Sequence, residues 1–131
     1  MKEREFVTLV VDDEVDMCWA LERILQGEGF ETHSAYNAED ALNMLNKKAP
    51  QLVFLDVKLP DMDGIELARL IKTSNPAMPV ILISGYYYND DPTIQKGLEE
   101  GLSIGFISKP FKINEIRHYI HRLFPKKSLS K

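Results

Sequence analysis

The chain has 131 residues, 44% hydrophobic and 27% charged, with a formal net charge of -4 and a pI near 5.4, so a single domain with a genuine core is expected. The acidic balance argues against a surface built to grip nucleic acid, and the single cysteine, Cys18, excludes an internal disulfide and a thiolate metal cluster. No stretch approaches the length of a membrane-spanning helix and the charged start at 1–5 does not lead into a secretory signal, which makes a cytoplasmic protein the expectation.

Phe6 to Val11 is short, β-branched and bounded by acids, and predicts a buried strand. Met17, Leu21, Ile24 and Leu25 recur at helical spacing, with Gly27 and Gly29 ending the helix. Glu31 to Tyr36 predicts a second strand, more polar and therefore nearer a sheet edge. Asn37 is a good N-cap for a helix over Ala38 to Asn46, with Ala41, Leu42 and Leu45 on one face. Leu52 to Asp56 is apolar up to its last residue and predicts a central strand. A loop holding Pro60 leads to Gly64 and a helix over Ile65 to Thr73. Val80 to Ser84 predicts a fourth strand, 85–92 a long loop, Thr93 to Glu100 a modest helix and Ile104 to Ser108 a fifth strand. The last helix shows Ile113, Ile116, Ile120 and Leu123 on one stripe. Five β-α units in strict alternation predict an α/β fold with a parallel sheet and helices on both faces, because parallel strands need right-handed crossovers.

In such a sheet ligands sit beyond the carboxyl ends of the strands. Those ends here carry Asp12 and Asp13 after the first strand, Asp56 at the end of the third, Ser84 and Gly85 at the fourth, and Lys109 after the fifth. Three carboxylates at one edge repel one another unless a cation joins them. Mg²⁺ fits, being a hard ion shared between carboxylates and phosphate. Lys109 and Ser84 can then hold phosphoryl oxygens, Gly85 allows close backbone approach, and Asp56 is left as a nucleophile.

Val10-Val11-Asp12-Asp13-Glu14, the run from Leu55 through Asp56 to Asp63-Gly64, Ile83-Ser84-Gly85-Tyr86 and Phe106 through Lys109-Pro110-Phe111 together resemble the four blocks of a response regulator receiver domain. The resemblance covers 6–124. It implies a flavodoxin-like, doubly wound (βα)5 fold with strand order 2-1-3-4-5. It also implies that Asp56 accepts a phosphoryl group from a histidine kinase. Asp13, Asp56 and the backbone carbonyl of Lys58 would ligate Mg²⁺ directly, with Asp12 acting through water. Ser84, Gly85 and Lys109 would bind the phosphoryl group, and Ser84 and Phe106 would form the switch that reshapes the face of helix 4, strand 5 and helix 5. Lys109-Pro110 would be cis. The domain would span 1–124, with 125–131 a basic tail or clipped linker. The only chemistry implied is gain and loss of the domain's own phosphoryl group, so it is not a turnover enzyme. Its expected partners are a histidine kinase or phosphotransfer protein and an output target or effector domain, with no direct nucleic-acid or membrane contact. The expected state is a monomer or a phosphorylation-dependent dimer. The sequence departs from the family pattern in a longer stretch between Ser84 and Lys109, filled by Tyr86-Tyr87-Tyr88, and in lacking an acid before Phe106. Lys58 and Tyr86 stand where side chains tune loss of the phosphoryl group.

Simpler readings apply to several features. Asp61-Met62-Asp63-Gly64 imitates a phosphatase motif, but Pro60 and the distance from the strand favour a turn and helix entry. His118 and His121 fit a solvated face, Cys18 a small core position, and Trp19 a site partly packed beside the first helix. A Mg²⁺-dependent phosphatase acting on an external substrate is the rival function, and it lacks a placed general acid. A degenerate receiver that never becomes phosphorylated is opposed by the complete acid, hydroxyl and lysine set.

Overall fold

Strand and helix alternate through the described residues. β1 (Phe6–Val11), α1 (Val15–Gly27), β2 (Phe30–Ala35), α2 (Ala38–Lys48) and β3 (Leu52–Asp56) are followed by α3 (Gly64–Ser74), β4 (Val80–Ser84), α4 (Pro92–Glu99), β5 (Gly105–Ser108) and α5 (Ile113–Leu123). The structure is a computed structural model and describes residues 6–85 and 91–125. The expected tyrosine loop at 86–90 and the tail beyond Pro125 lie outside the described residues.

All four strand pairs are parallel and the order is β2-β1-β3-β4-β5, the flavodoxin-like (βα)5 arrangement. The polar β2 stands at an edge and the wholly buried β3 at the centre. Alternation along the strands divides the core in two. Leu9, Val11, Val53, Leu55, Val80 and Leu82 point to one face, where α2, α3 and α4 cover them with Ala41, Leu67, Ile71 and Ile94. Val10, Phe54, Ile81, Ile83 and Ile107 point to the other, beneath Cys18, Leu21 and Leu25 of α1 and Ile116 and Ile120 of α5.

Helix bounds follow local chemistry. The Asp63 carboxylate accepts the Ile65 N–H at 2.8 Å, which starts α3 at Gly64. Asp91 caps α4 in the same way, and Pro92 occupies its first turn, where a missing N–H costs nothing. The α4 start is therefore Pro92 rather than Thr93. α2 runs two residues past Asn46 through Lys47 and Lys48, cations suited to a helix C-terminus, and stops at Ala49 with φ 46°.

Cys18 is buried, as expected. Trp19 is not packed beside α1 but 60% exposed, with the Arg23 guanidinium 5.2 Å from its ring centroid. The buried stripe of α1 runs through Cys18, Leu21 and Leu25, and Trp19 lies off it. His118 and His121 are exposed on α5. At the amino ends of the strands, Phe6, Phe30 and Phe124 form an aromatic trio with ring centroids 5.2 to 6.1 Å apart. This trio ties β1, β2 and the end of α5 together.

Candidate functional site: an acidic cleft at the carboxyl edge of the sheet

The register assembles the cleft. Val11 pairs with Leu55, so Asp12 and Asp56 leave adjacent strands at the same level. Ser84 pairs with Ser108, which brings Lys109 beside Gly85. Backbone bonds from Asp12 N–H to Ala35, Val57 N–H to Ile83 and Lys109 N–H to Ser84 extend the ladder by one rung and fix these ends. An open cavity of about 650 Å³ results, lined by Asp13, Glu14, Asp56, Lys58, Gly85 and Lys109 among others.

Asp12 and Asp56 are buried, and Asp13 is exposed at the mouth. Each of the three offers a carboxylate oxygen within 4.8 Å of the others. Lys109 Nζ lies 2.7 Å from Asp12 Oδ2, 2.5 Å from Glu14 Oε1 and 3.2 Å from Asp56 Oδ2. Asp56 Oδ1 accepts the Lys58 N–H at 3.2 Å, and Asp12 Oδ1 the Glu14 N–H at 3.0 Å. Burial, and then the neighbouring Asp12 charge, push the Asp56 carboxyl up to about 6, against the pull of the Lys58 N–H and of Lys109. Burial lowers the Lys109 ammonium's affinity for its proton, but the adjacent carboxylates of Asp12, Glu14 and Asp56 together outweigh burial and raise it.

These residues fit a hard divalent cation. Asp12 Oδ2 is buried without an aligned hydrogen bond among the described residues, since the nearby ammonium forms an ion pair outside hydrogen-bonding alignment. The donor set is all oxygen, and the Lys109 ammonium faces three carboxylates. The carboxylates of Asp12, Asp13, Glu14 and Asp56 outnumber the lysines Lys58 and Lys109 there, leaving net negative charge that a further cation would offset.

The remaining expected positions are also placed. Ser84 is buried at the end of β4. Phe106 pairs with Leu82, two residues before Ser84, so Phe106 and Ser84 share the α2–α4 face of the sheet, where Phe106 is half-buried against the core. The Lys109–Pro110 peptide is cis.

The response regulator receiver domain family matches residues 8–121 of this chain. The chain belongs to that family. The receiver is 38% identical to sporulation initiation phosphotransferase F of Bacillus subtilis over 92% of this chain and 94% of that protein. It is 34% identical to the DNA-binding transcriptional regulator NtrC of Proteus hauseri over 86% of its own length but only 23% of that protein. The receiver thus spans about a quarter of the length of its transcription-regulator relatives. Among solved structures, the receiver domain of NtrX from Brucella abortus superposes with a TM-score of 0.76 at 36% identity, covering 95% of this chain and 99% of that one. A CheY-like receiver from Methanospirillum hungatei shares the fold, with a TM-score of 0.85 at 24% identity and coverage of 98% and 100%. Membership places the receiver in two-component phosphorelay signalling, with an acidic cluster of the kind a phosphoacceptor site requires. Among the described residues no helix is long and apolar enough to cross a membrane.

Sequence reasoning missed two contacts. Glu14 was read only as part of the acidic run, yet it reaches Lys109. Asp61 was read as turn filler, yet its carboxylate accepts the N–H groups of Ala38 at 2.8 Å and Glu39 at 3.1 Å. The first had a signal, an acid next to the metal-type pair. The second bridges 23 positions in sequence and left none.

Proposed function

We propose that this receiver accepts a phosphoryl group on Asp56 from the phosphohistidine of a kinase or phosphotransfer protein, holds it as an aspartyl phosphate, and loses it to water. The observation that carries the reading is the position of Asp56: buried at the cleft floor, within reach of Lys109 and beside two further carboxylates. A carboxylate oxygen of Asp56 attacks phosphorus, the P–N bond to the donor imidazole breaks as the P–O bond forms, and the electron pair stays on the imidazole nitrogen, which takes up a proton. In hydrolysis, water attacks phosphorus, the P–O bond to Asp56 breaks, the carboxylate is regenerated and inorganic phosphate leaves.

Asp12, Asp13, Asp56 and the Lys58 carbonyl would hold Mg²⁺, which when bound neutralises phosphoryl charge and the repulsion among the acids. Lys109 supplies a point charge for a phosphoryl oxygen in exchange for one of its carboxylate contacts. The Ser84 hydroxyl and the Gly85 N–H donate to others. Ser84 and Phe106 share one sheet face, which supports a switch in which Ser84 moves toward the phosphoryl group and Phe106 turns inward, altering the α4-β5-α5 surface. The domain is taken as 1–124, with 125–131 a tail, acting in the cytoplasm on an output target or a linked effector. The similarity along nearly the whole length of a phosphotransferase supports onward transfer as one output.

Incubation with acetyl phosphate and Mg²⁺, followed by intact mass, tests the reading. One added phosphoryl group is expected, absent without Mg²⁺ and absent in Asp56→Asn. A phosphoryl group retained in Asp56→Asn overturns the assignment of the acceptor. No gain in the native chain, together with no response to beryllofluoride, overturns phosphoryl acceptance itself.

A further inference from the structure

The loop after β3 is short and held at both its base and its tip. At the base, Gly64 N–H donates to the Val57 carbonyl at 2.7 Å, and Lys58 and Asp63 form an isolated antiparallel bridge. Lys58 N–H also donates to Asp56. At the tip stands Asp61, following Pro60, whose ring fixes φ. The Asp61 carboxylate reaches a different βα unit and accepts two N–H groups in the first turn of α2, Ala38 through Oδ1 and Glu39 through Oδ2. The Asn37 side chain takes the third, from Asp40, at 2.8 Å. The first three N–H groups of the helix are thus satisfied, two of them by a residue that α2 does not contain. Those two N–H groups hold the Asp61 carboxyl below its usual range, so it is ionised at neutral pH and suited to the positive end of the helix.

We infer that Asp61 is a positioning residue for the cation site, anchoring the turn that carries Asp56 and Lys58 to the N-terminus of α2. The inference rests on the cation-site reading given under Proposed function. Asp61 is three residues from Lys58, and the bridge between Lys58 and Asp63 makes the turn narrow. A narrow turn pinned at its tip cannot rotate its base freely, so the Lys58 carbonyl is held in a narrow range of orientation. A clamp of two charge-assisted hydrogen bonds is stronger than a neutral cap. It also gives the edge unit β2-α2 a mechanical connection to the site, although α2 contributes no residue to the acidic cluster.

The test separates anchoring from ordinary helix capping. Mg²⁺ affinity is measured by titration calorimetry on the full chain and on Asp61→Ala, Asp61→Asn and Asn37→Ala, with unfolding midpoints in parallel. Asn37→Ala removes a cap from the same helix end and leaves the loop untouched. Asp61→Ala is expected to weaken Mg²⁺ binding roughly tenfold, the scale seen when a group supporting a metal ligand is lost. Asp61→Asn should recover part of the loss, because one amide oxygen can still accept. Asn37→Ala should lower the unfolding midpoint and leave Mg²⁺ affinity unchanged. Amide NMR shifts of Ala38 and Glu39 should respond to Mg²⁺ in the native chain and lose that response in Asp61→Ala. Unchanged affinity in Asp61→Ala overturns the proposal and reduces Asp61 to a cap. Equal weakening in Asn37→Ala overturns it in favour of general destabilisation. No Mg²⁺ binding by the native chain overturns the cation-site reading, and this proposal with it.

Discussion

Neutralising Asp56 should stabilise the metal-free domain, although it removes the proposed acceptor. In the folded chain the carboxyl is pushed from 3.8 up to about 6, first by burial and next by Asp12. A rise of about two pH units corresponds to a ceiling of ~3 kcal/mol, and solvent screening in an open cleft reduces this to ~1–3 kcal/mol. Because the folded pKa is raised, the folded chain binds more protons than the unfolded chain between about pH 4 and 6. The stabilising contribution of the protonated form is complete below the lower value and is lost as pH rises through the upper one. Asn cannot ionise, so Asp56→Asn escapes the loss. In EDTA at pH 7.5 the variant should exceed the native chain by ~1–3 kcal/mol, which for a domain of this size is several degrees in Tm. The gap should close as the pH approaches 4. Urea unfolding followed by circular dichroism between pH 4 and 8 measures it. A variant equal to or less stable than the native chain at pH 7.5, or a gap that does not change with pH, refutes the electrostatic account. Adding Mg²⁺ should stabilise the native chain more than the variant, since ligand binding stabilises only the state that binds it.

Further outcomes follow from the geometry. In Gly64→Ala an added Cβ would meet the Asp56 carbonyl and lie 2.7 Å from Val57 Cα, both backbone, so a loss of ~3 kcal/mol or more is expected in chemical denaturation. Gly105→Ala would instead meet the ring and hydroxyl of Tyr119, a side chain that can turn aside, and should cost less in the same assay. Glu14→Gln loosens one of three carboxylate contacts on Lys109 and should speed phosphorylation by acetyl phosphate a few-fold, read from the time course of intact mass; an unchanged rate would mean that Glu14 does not compete for the ammonium. Cys18 is buried, donates its S–H to the Asp12 carbonyl at 3.3 Å, and is pushed up to about 12 chiefly by burial. It should therefore resist a thiol reagent at pH 8 until the chain is unfolded with urea.

The sheet and the acidic cluster at its edge were legible for a common reason. Buried parallel strands read as apolar runs, and chemistry placed at their carboxyl ends interrupts those runs abruptly, as at Val11-Asp12 and Leu55-Asp56. β2 was placed at an edge from polarity alone, and the structure has it there. Helix starts were less legible, because Asp91-Pro92 signals a start by capping and backbone rigidity rather than by periodicity. Trp19 was misread because a large aromatic one residue from a buried position suggests packing, whereas the helical turn carries it to the outer side. The Asp61 contact escaped because it joins a loop to a helix start remote in sequence, and neither partner has a pattern of its own.

The Phe6, Phe30 and Phe124 trio has a practical consequence. It lies at the amino ends of the strands, with the acidic cleft at the opposite pole, so Phe6 and Phe124 both stand away from the cleft. A dye, a surface tether or a fused domain joined before Phe6 or after Phe124 would leave the cleft mouth open to a docking protein. The acidic cleft and the points of attachment thus occupy opposite poles of the domain.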